Sequence, residues 1–164
     1  MQRDCEDAGV KQDAVIFDRD GTLFQVDRRL VPAEKPDWYQ FHAAAVFDSP
    51  VPHIVALTHA IKPGVAVLVV SGRSDVIRPR IQDSLHKHNV NYDRLFMRAR
   101  HDQRRDDVVK ADIYHREIEP YYNVLYVVDD RMMVVQMWKT KGLPVLHVSQ
   151  PEHEEPFRFL GGQR

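Results

Sequence analysis

Four short polar clusters in this sequence combine carboxylates, a hydroxyl group and a lysine. They are Asp18-Arg19-Asp20-Gly21-Thr22, Ser71-Gly72-Arg73, the segment 104–110 and Asp129-Asp130-Arg131. Carboxylates brought close together repel one another unless a cation neutralises them, and Mg²⁺ prefers a few carboxylate oxygens together with water and phosphate. No cysteine or histidine lies beside these residues at the spacing of a zinc site. The residue types therefore predict a magnesium-dependent phosphoryl-transfer site.

The order of the residues suggests a role for each. Asp18 comes first after an apolar run, so we expect it to lie against the metal and to be the nucleophile. Asp20 is expected on the leaving-group side, as general acid and then as base for the water that hydrolyses the aspartyl phosphate. Ser71 and Lys110 offer a hydroxyl and an ammonium to hold phosphoryl oxygens. Asp129 and Asp130 would join Asp18 at the metal.

Each cluster taken alone also has a simpler structural interpretation. Asp-x-Asp-Gly-Thr suits a turn after a strand, and Ser71-Gly72 or Asp129-Asp130 suits a helix cap. Lys110 follows Asp106 by four residues, which is the spacing of a helical ion pair. These interpretations do not explain why all four clusters occur in this order, each beyond a predicted strand.

The elements between the clusters predict an α/β fold. Short apolar runs, mostly β-branched, are separated by helix-like segments, which is typical of a parallel sheet buried on both faces. The predicted strands are 14–17, 65–70, 95–97, 124–128 and 145–148. The predicted helices are 52–61, a segment starting between 74 and 79 and reaching about 88, 107–118 with Asp106 as N-cap, and 132–141. In such a Rossmann-like fold, with helices on both faces, ligands bind outside the carboxyl ends of the strands.

Length and composition indicate a single domain. The 164 residues are 43% hydrophobic and 29% charged, which suits one ordinary globular core. We expect a domain over 13–150 with a small insertion at about 28–50 after the first strand, and mobile ends at 1–12 and 151–164. The apolar runs are too short for a bilayer helix and the amino terminus lacks the pattern of a secretory signal, so we expect no membrane association and a cytoplasmic location.

Charge is distributed unevenly along the chain. The formal net charge is -1, but residues 73–110 hold ten lysines or arginines against six aspartates. This excess of positive charge favours an anionic ligand, although a solvated basic face is the alternative.

The run 15–23, followed in order by Ser71, Lys110 and Asp129-Asp130, resembles the haloacid dehalogenase superfamily of aspartate-nucleophile phosphatases. A response-regulator receiver domain also combines aspartates, a hydroxyl and a lysine. Its acidic pair follows the first strand and its lysine follows the last, so the order here excludes it. The resemblance implies the fold of that superfamily and Mg²⁺ as the cofactor.

Three further segments, 69–73, 105–110 and 128–138, look like the phosphatase domains of the bacteriophage polynucleotide kinase-phosphatase family, which remove 3' phosphates from nucleic acid ends. The likeness covers roughly residues 14–150. It implies that the catalytic residues are Asp18, Asp20, Ser71 and Lys110. It implies that the substrate-binding residues are Thr22, Gly72, Arg73, Arg29 and Asp106, with Asp106 orienting Lys110. It implies that the metal ligands are Asp18, Asp20, Asp129 and Asp130.

Two departures from the family pattern bear on these expectations. The sequence has no Gly-x-x-x-x-Gly-Lys-Ser/Thr, so we expect a phosphatase without the ATP-binding loop of a kinase half. Arg19 stands where the family has an aliphatic residue. We expect only its backbone to matter.

Substrate class must be inferred from access and charge. The insertion is short for a lid, and an open site suits the 3' end of DNA or RNA, because five arginines are expected nearby: Arg73, Arg98, Arg100, Arg104 and Arg105. Such a substrate would allow a separate kinase or ligase as a partner. The competing hypothesis is a 5'- or 3'-nucleotidase or general phosphomonoesterase. A third is a non-catalytic binding module on the same fold. The sequence does not indicate an oligomeric state.

Overall fold

The computed structural model describes residues 10–25 and 48–149. Five parallel strands form the main sheet: β1 (Gln12–Asp18), β4 (Ala66–Ser74), β5 (Arg94–Arg98), β6 (Tyr122–Asp129) and β7 (Val145–His147). Their order across the sheet is β5-β4-β1-β6-β7. Along the chain, β4 and β5 are added on one side of β1, and β6 and β7 are added on its other side. The strand order therefore reverses between β1 and β6.

Helices cover both faces of this sheet. They are α1 (Pro52–His59), α2 (Arg78–Lys87), α3 (Asp106–Ile113) and α4 (Met132–Thr140). Alternate residues of β1 point to opposite faces, as the pleat requires. Val15 and Phe17 pack in one core with Ile81 of α2, and Ile16 packs in the other with Trp138 of α4. The predicted fold class is confirmed.

A small antiparallel hairpin follows β1. Its strands are β2 (Phe24–Gln25) and β3 (Ser49–Pro50). After the segment that we predicted to be an insertion, β3 pairs with β2, and the backbone N–H of Val51 donates to the carbonyl of Leu23 at 2.8 Å. Most of that predicted insertion, including Arg29, lies outside the described residues, as do most of the two predicted mobile ends.

The third predicted helix differs from the expectation in two details. Asp106 was expected to be the N-cap, but the N-cap position belongs to Arg105, and Asp106 is the first residue of α3. Instead of capping the helix, its carboxylate forms ion pairs with Arg98 of β5, with Arg131 and, within α3, with Lys110. The end of the predicted helix is a π-helical turn, Tyr114–Ile118. Within the described residues, no helix has the length and apolar character needed to cross a bilayer.

Candidate active site

Three aspartates meet where β1 and β6 end side by side. Asp18 is the last residue of β1, and Asp129 is the last residue of β6. The strands are parallel neighbours, so both side chains emerge at the carboxyl edge, at the reversal of strand order. Carboxylate oxygens of Asp18, Asp129 and Asp130 lie within 4.8 Å of one another. We call these three residues the carboxylate cluster.

Lys110 provides the positive charge inside this cluster. Its side chain is buried, and its Nζ donates hydrogen bonds to Asp18 Oδ1 at 2.6 Å and to Asp129 Oδ2 at 3.0 Å. Asp106 Oδ2 lies 3.7 Å from the same nitrogen. Burial by itself lowers the pKa of Lys110, but the surrounding carboxylates outweigh it and raise the pKa above its usual range. The ammonium therefore stays charged.

The carboxylate cluster fits a hard divalent cation. Asp18 Oδ2 and Asp130 Oδ1 are buried, and neither accepts a hydrogen bond within the described part of the chain. Burial, reinforced by the neighbouring carboxylates, raises the pKa of both Asp18 and Asp130. Unsatisfied carboxylate oxygens are costly to bury, and a set made only of oxygen ligands suits Mg²⁺. The residues that could hold the ion are Asp18, Asp129 and Asp130.

Asp129 is held in place by groups on the neighbouring helix. Trp138 of α4 donates its indole N–H to Asp129 Oδ2 at 3.2 Å, and the backbone N–H of Arg131 donates to Oδ1 at 3.1 Å. Gly21 makes room for the adjacent Asp130: a Cβ at this position would lie 2.1 Å from Asp130 Oδ2, and its φ is +94°. Trp138 was not among the predicted site residues, since an apolar helical stripe explains it equally well.

The predicted phosphate-binding residues of β4 lie at the same edge of the sheet. Ser71 is buried, and its Oγ accepts a hydrogen bond from the backbone N–H of Arg73 at 3.2 Å. A Cβ on Gly72 would lie 1.9 Å from Asp106 Oδ1, so only glycine allows this approach. The hydroxyl of Thr22 is buried and has no hydrogen-bond partner among the described residues. Whether these groups bind substrate stays a prediction.

Asp20 faces arginines. Arg73 Nε lies 3.0 and 2.9 Å from its two carboxylate oxygens, and Arg19 also donates to it. Burial raises the pKa of Asp20, but the two guanidinium groups outweigh this and leave the pKa below its ordinary value. Its predicted role as a metal ligand is not tested by these side-chain contacts.

The side chain of Arg19 was overlooked in the prediction that only its backbone matters. It is fully buried and pairs with Asp20 and with Asp48. Asp48 was also missed, because it lies 29 residues from Arg19 in a segment without a motif.

Three of the arginines expected to form an open basic surface are already engaged. Arg98 donates to the carbonyl oxygens of Gly72 and Arg104 at 2.5 and 2.6 Å, and it joins the end of β4 to the loop before α3. Arg104 pairs with Asp102 at 2.6 Å, and Arg105 pairs with Asp107 at 3.0 Å. Much of the local positive charge is therefore balanced by neighbouring carboxylates.

The fold and the carboxylate cluster define the class of protein. A predicted hydrolase of the haloacid dehalogenase-like family from Porphyromonas gingivalis superposes with a TM-score of 0.51, covering 94% of this chain and all of that one. Protein tyrosine kinase A of Mycobacterium tuberculosis gives a TM-score of 0.55 over 90% of both chains. At 12% and 15% identity, these similarities establish the haloacid dehalogenase-like fold alone.

A family model assigns the chain more narrowly. The model described as the polynucleotide kinase PNKP phosphatase domain matches residues 12–153, so the chain belongs to this family. A putative bifunctional polynucleotide kinase/RNA ligase of Autographa californica nuclear polyhedrosis virus is 28% identical over 136 residues, which are 81% of this chain and 19% of that protein.

A solved structure of the Pnkp1/Rnl/Hen1 RNA repair complex contains a chain that is 30% identical. It superposes with a TM-score of 0.75, covering 87% of this chain and 44% of that one. The present chain thus spans less than half the length of these two relatives.

Proposed function

We propose that this chain is a magnesium-dependent phosphomonoesterase that works through an aspartyl phosphate on Asp18. The observation that carries the proposal is the carboxylate cluster built around Lys110, whose Nζ lies 2.6 Å from Asp18 Oδ1. Family membership supports it, since the matching family is one of phosphatase domains.

The proposed reaction has two displacement steps. In the first, a carboxylate oxygen of Asp18 bonds to phosphorus, the bond from phosphorus to the ester oxygen breaks, and Asp20 gives that oxygen a proton. In the second, Asp20 takes a proton from water, whose oxygen bonds to phosphorus, and the bond to Asp18 breaks to release inorganic phosphate. Mg²⁺ held by the carboxylate cluster would neutralise the negative charge of phosphate and carboxylates.

Asp20 must gain a proton before the first step, and its arginine partners oppose this in the free protein. Arg73 contacts both Asp20 and Asp48, and it lies two residues after Ser71, on the predicted phosphate side. We infer that an arriving phosphate draws the Arg73 guanidinium toward itself. Asp20 then loses one positive partner, its pKa rises, and it can act as an acid.

We propose the 3' phosphate of a DNA or RNA end as the substrate. The family description and the two relatives named for polynucleotide kinase and RNA repair support this. One observation favours a mononucleotide instead: Arg98, Arg104 and Arg105 are engaged with carbonyl oxygens or carboxylates, which reduces the charge available for a longer polyanion. A cytoplasmic location and a separate kinase or ligase partner are further proposals.

The decisive experiment compares turnover of a 3'-phosphorylated oligonucleotide with turnover of 3'- and 5'-mononucleotides, with Mg²⁺ and with a chelator. We expect kcat/KM to be highest for the oligonucleotide, and activity to be lost with the chelator. Equal efficiency on all three substrates would refute the polynucleotide substrate but retain the phosphatase. Full activity of Asp18→Asn would refute the aspartyl phosphate.

A further inference from the structure

Two arginines and two aspartates, of which Asp20 alone is partly exposed, form a network beside the carboxylate cluster. Arg19 donates from Nη1 to Asp20 and, at 2.9 Å, to Asp48 Oδ2. Arg73 pairs with the same two aspartates, from Nε to Asp20 at 2.9 Å and from Nη2 to Asp48 Oδ2 at 3.3 Å. Each aspartate therefore contacts both arginines.

This network joins three separate parts of the chain. Arg19 and Asp20 belong to the turn after β1, Asp48 directly precedes β3 of the hairpin, and Arg73 lies near the end of β4. The turn is itself tied to the hairpin, because the backbone N–H of Phe24 donates to the carbonyl of Arg19 at 2.9 Å. The Arg19 guanidinium also lies 4.5 Å from the centre of the Phe24 ring. The side chain of Arg19 is thus fixed on several sides.

Because these side chains are buried, their contacts with one another take the place of contacts with water. Arg19 is 0% exposed, Arg73 is 2% exposed and Asp48 is 5% exposed. Buried charges are tolerated when their partners satisfy them, and a buried charge left without a partner strongly destabilises its arrangement. Loss of Arg19 would leave Asp20 and Asp48 in competition for Arg73. The Asp20 carboxylate would then take up a different position.

We propose that Arg19 and Asp48 are positioning residues that hold Asp20 where it can reach the leaving-group oxygen. Asp48 accepts from both guanidinium groups and sets their positions, and Arg19 keeps the carboxylate of Asp20 oriented when phosphate draws Arg73 toward itself. This inference rests on the proposed function, in which Asp20 gives the leaving oxygen its proton. It assigns a role to Arg19, which has no part in the proposed chemistry, and to Asp48, which directly follows residues 26–47.

A misplaced Asp20 has a kinetic consequence that depends on the leaving group. An alkoxide, such as the sugar oxygen of a nucleotide, is a poor leaving group and needs a proton as it departs. The phenolate released from p-nitrophenyl phosphate is stable without one. A change that only weakens the fold or phosphate binding would lower turnover of both substrates together.

The experiment measures kcat/KM for the 3'-phosphorylated oligonucleotide, or for the 3'-mononucleotide if that is turned over faster, and for p-nitrophenyl phosphate, all with Mg²⁺. This ratio reports the steps up to departure of the leaving group and leaves out the later hydrolysis of the aspartyl phosphate, in which Asp20 acts alike for both substrates. For Arg19→Leu we expect a loss of about 10–100-fold on the nucleotide substrate and about 3-fold or less on p-nitrophenyl phosphate. Asp48→Asn and Arg19→Lys keep the size of the side chain better, and we expect the same selective loss at smaller magnitude. Circular dichroism checks that each variant is folded.

Two control variants are measured with the same substrates. Asp20→Asn removes the proton donor itself and should show the same selectivity more strongly. Arg116→Leu removes an exposed arginine that pairs with Asp112 at 2.9 Å, and it should change neither rate. If Arg19→Leu does not fold, the selective loss of activity is tested with Arg19→Lys and Asp48→Asn. If the variants lose activity equally on both substrates, or lose none on either, the positioning role is wrong. If the wild-type protein hydrolyses neither substrate, the proposed function on which the positioning role rests is wrong.

Discussion

Replacement of Lys110 by methionine removes the positive charge from the centre of the carboxylate cluster while keeping most of the side-chain volume. Its ammonium lies 2.6 and 3.0 Å from oxygens of Asp18 and Asp129, and at an effective dielectric constant of about 20 each contact corresponds to about 6 kcal/mol of Coulomb attraction. The cost of burying the ammonium offsets much of this. Breaking a buried ion pair typically costs about 3–5 kcal/mol, and we expect Lys110→Met to lose that much free energy of unfolding without metal.

Magnesium should restore part of this loss, because the ion supplies the positive charge that the lysine provided. We therefore expect Mg²⁺ to raise the urea midpoint of Lys110→Met more than that of the wild type, while kcat stays low because the phosphate has lost its cation. Urea unfolding followed by circular dichroism, with Mg²⁺ and with a chelator, measures both effects. Lys87→Met at the exposed end of α2 is the control. A metal-free Lys110→Met within about 1 kcal/mol of the wild type would refute the role of Lys110 as the charge that neutralises the carboxylate cluster.

Three further predictions concern the same edge of the sheet. Asp18→Asn should lower kcat by about 1000-fold or more, because it removes the nucleophile. It should not lower the thermal midpoint of the metal-free protein, because it removes one of several mutually repelling carboxylates. Steady-state kinetics and a thermal melt check the two effects. Gly72→Ala should destabilise the protein by about 1–3 kcal/mol in urea unfolding, because a Cβ at position 72 would lie 1.9 Å from Asp106 Oδ1, and an unchanged urea midpoint would contradict this. The pKa of Asp18 is raised above 3.8, so its contribution to metal-free stability is present below pH 3.8 and is lost as the pH rises through the raised pKa. The shift in melting temperature that Mg²⁺ induces should therefore grow from acid to neutral pH. A shift that is constant with pH would contradict this.

Much of the fold and of the carboxylate cluster could be predicted from local patterns. Apolar runs at strand length and helical spacing between them predicted the parallel sheet, which the structure confirms. The polar residues directly after those runs then had to lie at one edge, because parallel strands end on the same side. For this reason the meeting of Asp18 with Asp129 and Asp130 followed from their order along the chain.

The partners of individual side chains were decided only by the tertiary structure. The contact of Lys110 with Asp18 spans 92 residues, and the pairing of Arg73 with Asp20 spans 53. Which charge neutralises which depends on the positions of all side chains packed around them, and spacing along the chain carries little information about that. Thus the sequence by itself determined which residue types reach the carboxyl edge of the sheet. The three-dimensional packing decided that Arg19 is buried against Asp20 and Asp48, and that several arginines expected to face a substrate bind the protein's own oxygen atoms.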